Sequence, residues 1–142
     1  MPHLIVEYSA NVSAANGGPV DIEALLVALH EAASATGTAA LDALRTRGAE
    51  RTDYVIGDAN PANGFIAVTA RLGAGRELAE RQRFVDALLD ALDGFLGSAQ
   101  ATLMLSVECQ EIDPQSRRNK NNVRATAVAT ARTTANDHRE SP

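Results

Sequence analysis

The sequence predicts an α+β fold in which two tandem β-α-β units form one four-stranded mixed sheet with two helices on a single face. Three observations predict it. A strand-helix-strand pattern occurs twice along the 142 residues. Each helical stretch carries one apolar stripe. Each crossover is long enough to join parallel strands, which a tight hairpin cannot do.

The first strand is "HLIVEY", residues 3 to 8. In "PVDIEALLVALHEAASATG" the residues Ile22, Leu25, Leu26, Leu29 and Ala33 fall on one helix face, and Gly37 supplies the C-terminal stop. A second strand is expected over "AALDALRTR", about residues 39 to 47, followed by a polar stretch from Gly48 to Gly64 whose strongest turn signal is "DANPANG". The pattern then restarts. "GFIAVTARL" reads as a strand, and "ELAERQRFVDALLDALDGFL" places Leu78, Phe84, Val85, Leu88, Leu89, Leu92 and Phe95 on one stripe that ends at Gly97. The fourth strand is "ATLMLSVECQEI", where Leu103, Leu105 and Val107 alternate with Thr102, Met104, Ser106 and Glu108. One parity suits the helix layer; the other is amphipathic and suits a partner subunit better than water. Residues 1 to 124 are expected to form the domain. Residues 125 to 142 lack large apolar side chains beyond valine and are expected to be a polar, flexible tail.

Thirteen Lys and Arg stand against eighteen Asp and Glu, for a net charge of −5. Nucleic acid and anionic membranes demand a basic footprint, so neither is expected as a partner. A single cysteine, Cys109, excludes an internal disulfide and a thiolate metal cluster, and no run of 18 apolar residues or signal-peptide pattern occurs. A cytoplasmic protein is the expectation.

Most catalytic motifs are missing. His3, His30 and His138 are scattered without metal-ligand spacing, so no metal and no cofactor is expected. His30 reads as a surface or boundary residue beside an apolar stripe, and Cys109 as a small buried hydrophobe. "GAGR" at residues 73 to 76 lacks the rest of a phosphate loop, yet it sets Arg76 at a helix N-terminus, where a cation opposes the helix dipole. Arg76 serves either an anionic ligand or an exposed ion pair with Glu80. "LRTR" puts Arg45 and Arg47 on one side of a strand, as a solvated edge or as a carboxylate clamp. Pro2, directly behind Met1, is either an inert strand-start residue or, once Met1 is removed, a free secondary amine able to act as a base.

Together, "MPHLIVEYSAN", "ATG", "LRTR", "GAGRELAERQ", "LSVECQEIDP" and "KNNV" resemble, in this order, the 5-carboxymethyl-2-hydroxymuconate isomerases of the tautomerase superfamily with an amino-terminal proline. The resemblance spans nearly everything before the tail. It implies a tautomerase-like homotrimer in which Pro2 is the catalytic base and Arg45 and Arg76 bind a small carboxylated enol. The implied reaction shifts a proton from the enol of 5-carboxymethyl-2-hydroxymuconate to give the keto isomer, in homoprotocatechuate and aromatic-compound catabolism. Two other functions fit the same residues. One is a proline-dependent tautomerase or hydratase on another small enol or unsaturated acid. The other is a non-catalytic trimeric binding module that keeps Met1.

Overall fold

The computed structural model describes residues 2–123. Four strands, β1 (Pro2–Ser9), β2 (Arg45–Arg51), β3 (Gly64–Gly73) and β4 (Leu103–Ile112), form one sheet in the order β2-β1-β3-β4. β1 runs parallel to β2 and β3 parallel to β4, each pair joined through a helix; β1 and β3, one from each unit, are antiparallel. The two β-α-β units are therefore joined through the centre of the sheet. Helices α1 (Ile22–Ala35) and α2 (Leu78–Leu96) pack on one face and on each other.

Alternation builds the core. Leu4 and Val6 of β1 and Ile66, Val68, Ala70 and Leu72 of β3 point toward the helices, which bury Leu25, Leu29 and Ala33 from α1 and Phe84, Leu88, Leu92 and Leu96 from α2. Apolar burial at this spacing stabilises both layers at once. Local signals set the helix ends. Asp21 caps α1 by accepting from the Ala24 N–H at 3.1 Å. Gly37 at φ 72° and Gly97 at φ 51° take the left-handed backbone that stops each helix.

Two expectations need correction. β2 begins at Arg45, not near residue 39, because Leu41–Ala43 closes a tight 3-10 turn before it. The strand then continues through Gly48 to Arg51, inside the stretch expected to be loop. The stripe of α2 is also narrower than expected: Leu78, Leu89 and Phe95 are 58%, 42% and 38% exposed, while Leu96 is buried instead. In β4 the expected parity holds. Leu103, Leu105, Val107 and Cys109 pack against the core, while Met104 on the helix-free face is 65% exposed. The division after residue 124 and the polar tail lie outside the described residues.

Candidate functional site

The strand register gathers distant segments at one end of the sheet. Pro2 opens β1 opposite Leu72, near the end of β3, and the next residue, His3, stands opposite Arg45 on one side and Arg71 on the other. Pro2 is buried with the helix-facing parity of Leu4 and Val6. His3, Arg45, Arg47 and Arg71 take the other parity and share the helix-free face.

On that face the imidazole of His3 stands between two guanidinium groups. Arg45 Nη1 lies 2.9 Å from Nε2 and Arg47 Nη1 lies 3.1 Å from Nδ1. Burial, followed by the charges of Arg45, Arg47 and Arg71, lowers the His3 pKa to about 4, so the ring is neutral at pH 7. A neutral imidazole has one acceptor nitrogen, so in either tautomer only one arginine is hydrogen-bonded to it. Among the described residues Arg45, Arg47 and Arg71 form no ion pair, in contrast to Arg51, which reaches Glu7 at 3.1 Å. Arg45 also borders a polar cleft of about 360 Å³ lined in part by Leu41, Leu44, Lys120 and Val123. The chain after β4 is tied to this side by Asn121, whose Nδ2 donates to the Asp42 carbonyl at 3.0 Å.

Arg76 follows the end of β3. Its Nη1 donates to the Gly73 carbonyl at 2.8 Å and its Nη2 to the Thr38 carbonyl at 3.0 Å, with Nε 3.8 Å from Glu80. The guanidinium thus ties the β3–α2 turn to the loop after α1. The ion pair with Glu80 exists, but it is the weakest of these contacts by distance. The remaining histidine and cysteine candidates have structural surroundings. His30 Nδ1 lies 2.8 Å from Thr46 Oγ1, and burial raises the pKa of the half-buried Cys109 thiol, which disfavours thiolate. Among the described residues no group of three His, Cys, Asp or Glu is placed to hold a metal ion, and no helix is long and apolar enough to cross a membrane.

Pro2, Arg45 and Arg76, which lie far apart in sequence, are thus all carried by segments that meet at this end of the sheet. Arg45 and Arg47 share one face with His3 between them. His3, Arg71 and, beyond β4, Arg117 also stand here; sequence reasoning missed all three. Arg71 had one available signal, since it is the charged residue on the non-core parity of β3, two residues before Gly73. His3 and Arg117 had none short of the register itself.

Comparison with known proteins adds the following. Residues 2–127 match the family model described as 5-carboxymethyl-2-hydroxymuconate isomerase. The chain is 28% identical over 127 residues to the 5-carboxymethyl-2-hydroxymuconate Delta-isomerase of Escherichia coli, covering 88% of this chain and 98% of that protein. A crystal structure of a 5-carboxymethyl-2-hydroxymuconate isomerase from Deinococcus radiodurans R1 superposes with a TM-score of 0.78 at 28% identity, covering 89% of this chain and 93% of the other. A fused 4-OT described as an asymmetric trimer has the same fold, with a TM-score of 0.63 at 20% identity over 87% of this chain and 98% of its own.

Proposed function

The chain belongs to the 5-carboxymethyl-2-hydroxymuconate isomerase family, and from that membership we propose that the freed nitrogen of Pro2 is the base of the isomerisation. In this reading Met1 is removed and the pyrrolidine nitrogen carries a lone pair. The nitrogen takes the enol hydroxyl proton; the oxygen electrons form the carbonyl, the conjugated double bonds shift, and a carbon of the dienolate accepts the proton back. Nothing is gained or lost overall, so no cofactor or co-reactant enters the balance.

An ordinary α-amino group titrates at about 7.7 to 8.0, and the base must be neutral at working pH. Burial of Pro2 disfavours a charged ammonium, and so do the positive charges that Arg45 and Arg71 bring opposite the next residue, His3; both move the nitrogen in the required direction. Arg45 and Arg76 receive the substrate carboxylates, fix its pose and stabilise the developing dienolate charge. The observation that carries the reading is the register: Pro2 begins the strand that lies between the start of β2, with Arg45, and the end of β3, three residues before Arg76.

The same reading gives the active protein as a homotrimer. The helix-free face exposes Met104 and carries Arg45, Arg47 and Arg71, which form no ion pair among the described residues, a surface better suited to a partner subunit than to water; the fused 4-OT neighbours, of the same fold, are trimers. A cytoplasmic place in homoprotocatechuate breakdown goes with it. The test is ultraviolet absorbance of 5-carboxymethyl-2-hydroxymuconate with the processed protein, run beside a smaller enol such as phenylenolpyruvate. Faster loss of the larger enol's absorbance is expected. Turnover of the smaller enol alone would move the assignment to a different tautomerase substrate.

A further inference from the structure

At Gly73 two positively charged side chains approach the place that a side chain would occupy. A Cβ placed there would have two heavy atoms within 4 Å beyond its chain neighbours, Arg76 Nη1 at 3.7 Å and Arg117 Nη2 at 3.9 Å. Two guanidinium nitrogens thus come within 4 Å of the point where a side chain would begin, one of them, Arg76 Nη1, while donating to the Gly73 carbonyl. Gly73 follows Leu72, the cross-strand partner of Pro2, and shares the parity of Arg71.

Arg117 is aimed there by a built turn. Asp113 accepts from the Gln115 N–H at 2.9 Å and from the Ser116 hydroxyl at 3.2 Å, which fixes the 3-10 turn Pro114–Ser116 directly before it. The neighbouring Arg118 spends its guanidinium on the carbonyls of Gln115 and Arg117. The Arg117 guanidinium has no hydrogen-bond or ion-pair partner among the described residues, although it is half-buried. Arg76 already faces Glu80 and two carbonyls, whereas Arg117 brings a second positive charge to the same place with no anion beside it among the described residues; a carboxylate between the two guanidinium groups gains charge-assisted hydrogen bonds from both.

We infer that Arg117 and Arg76 form a carboxylate site floored by Gly73, and that Arg117 selects substrates with an additional carboxylate remote from the reacting enol. The inference rests on the proposed function and adds a residue that sets specificity. It makes the preference for polycarboxylated over monocarboxylated ligands a property of the turn after β4.

The test is calorimetric binding of adipate, a six-carbon dicarboxylate, against hexanoate, its monocarboxylate counterpart, to the full processed protein. Wild type is expected to prefer adipate, and Arg117→Ala to reduce that preference by about tenfold or more, the scale of a lost hydrogen bond to a charged group. Gly73→Ala places a methyl group within 4 Å of both guanidinium groups without removing charge and is expected to act in the same direction. Arg118→Ala, which removes an equal charge from the same turn, is expected to retain the preference. Enol isomerisation is followed in the same preparations. An active wild type whose adipate preference survives both Arg117→Ala and Gly73→Ala, or is never present, overturns the inference alone. An inactive wild type whose preference collapses in both variants overturns the isomerase reading and keeps the anion site.

Discussion

Nη1 of Arg45 stands 2.9 Å from Nε2 of His3, across the first rung of the β1–β2 ladder. Nη1 of Arg47 approaches the other ring nitrogen at 3.1 Å. With Nε2 as the acceptor, Arg45 is the arginine held in place and Arg47 the one left to move. If Arg45 binds substrate as proposed, this arrangement makes His3 its positioning residue.

His3→Leu is therefore expected to raise KM for the carboxylated enol by about tenfold, with a smaller effect on kcat, because it frees Arg45 without touching the base. His3→Gln, which keeps an acceptor, should recover most of that loss. Steady-state kinetics on the two variants check this; equal KM in wild type and His3→Leu would show that Arg45 needs no support from the ring.

The lowered pKa of His3 also has a consequence for stability. The unfolded chain binds a proton near pH 6.5, whereas the folded one resists it down to about 4. The unfolded state thus holds more protons in this window, so stability is fully present above about pH 6.5 and is lost as the pH falls toward 4. Urea denaturation at steps between pH 7 and pH 4 should show this decline, and it should be shallower in His3→Gln. An identical slope in the two proteins would place the acid sensitivity elsewhere.

Arg76 has a structural role as well as a proposed substrate role, since it joins the Gly73 and Thr38 carbonyls. Arg76→Ala is expected to raise KM and also to cost about 1–3 kcal/mol of stability, because two carbonyls lose a charged donor. Denaturation curves beside kinetics separate the two effects. A variant of unchanged stability would mean that water replaces both hydrogen bonds at no cost.

The buried face of α2 can be tested in the same way. Phe84→Ala should destabilise by about 3–5 kcal/mol, as expected for a fully buried aromatic ring. Phe95→Ala should cost far less in the monomer unit because its ring is partly open to solvent. Equal losses would show that the Phe95 ring is covered in solution.

The strands and helices that bury apolar side chains were legible in the sequence because burial imposes a period: β3 alternates cleanly, and Leu25, Leu29 and Ala33 repeat at helical spacing. β2 was misplaced because it is an edge strand, paired only with β1 and largely exposed, so its residues carry no apolar alternation. The apolar letters just before it belong to a turn. At α2 the helical period alone does not define how wide the buried stripe is. The proposed site draws on both kinds of signal. Pro2, Arg45 and Arg76 come from local pattern and resemblance, whereas the pairing of His3 with Arg45 and the convergence of Arg76 and Arg117 on Gly73 depend on register and on one turn's geometry.

In the proposed reaction the chemistry belongs to the nitrogen of Pro2. The most direct measurement compares three forms of the protein on the enol substrate by ultraviolet absorbance: processed wild type, processed Pro2→Ala, and a chain with an uncleaved N-terminal extension. Pro2→Ala should keep the fold and retain reduced activity, since a primary amine still accepts a proton but with a different pKa and orientation. The extended form should lose activity more completely, because an amide nitrogen has no basic lone pair. Turnover by the extended form at the wild-type rate would contradict proline catalysis and leave Pro2 as the first residue of a strand.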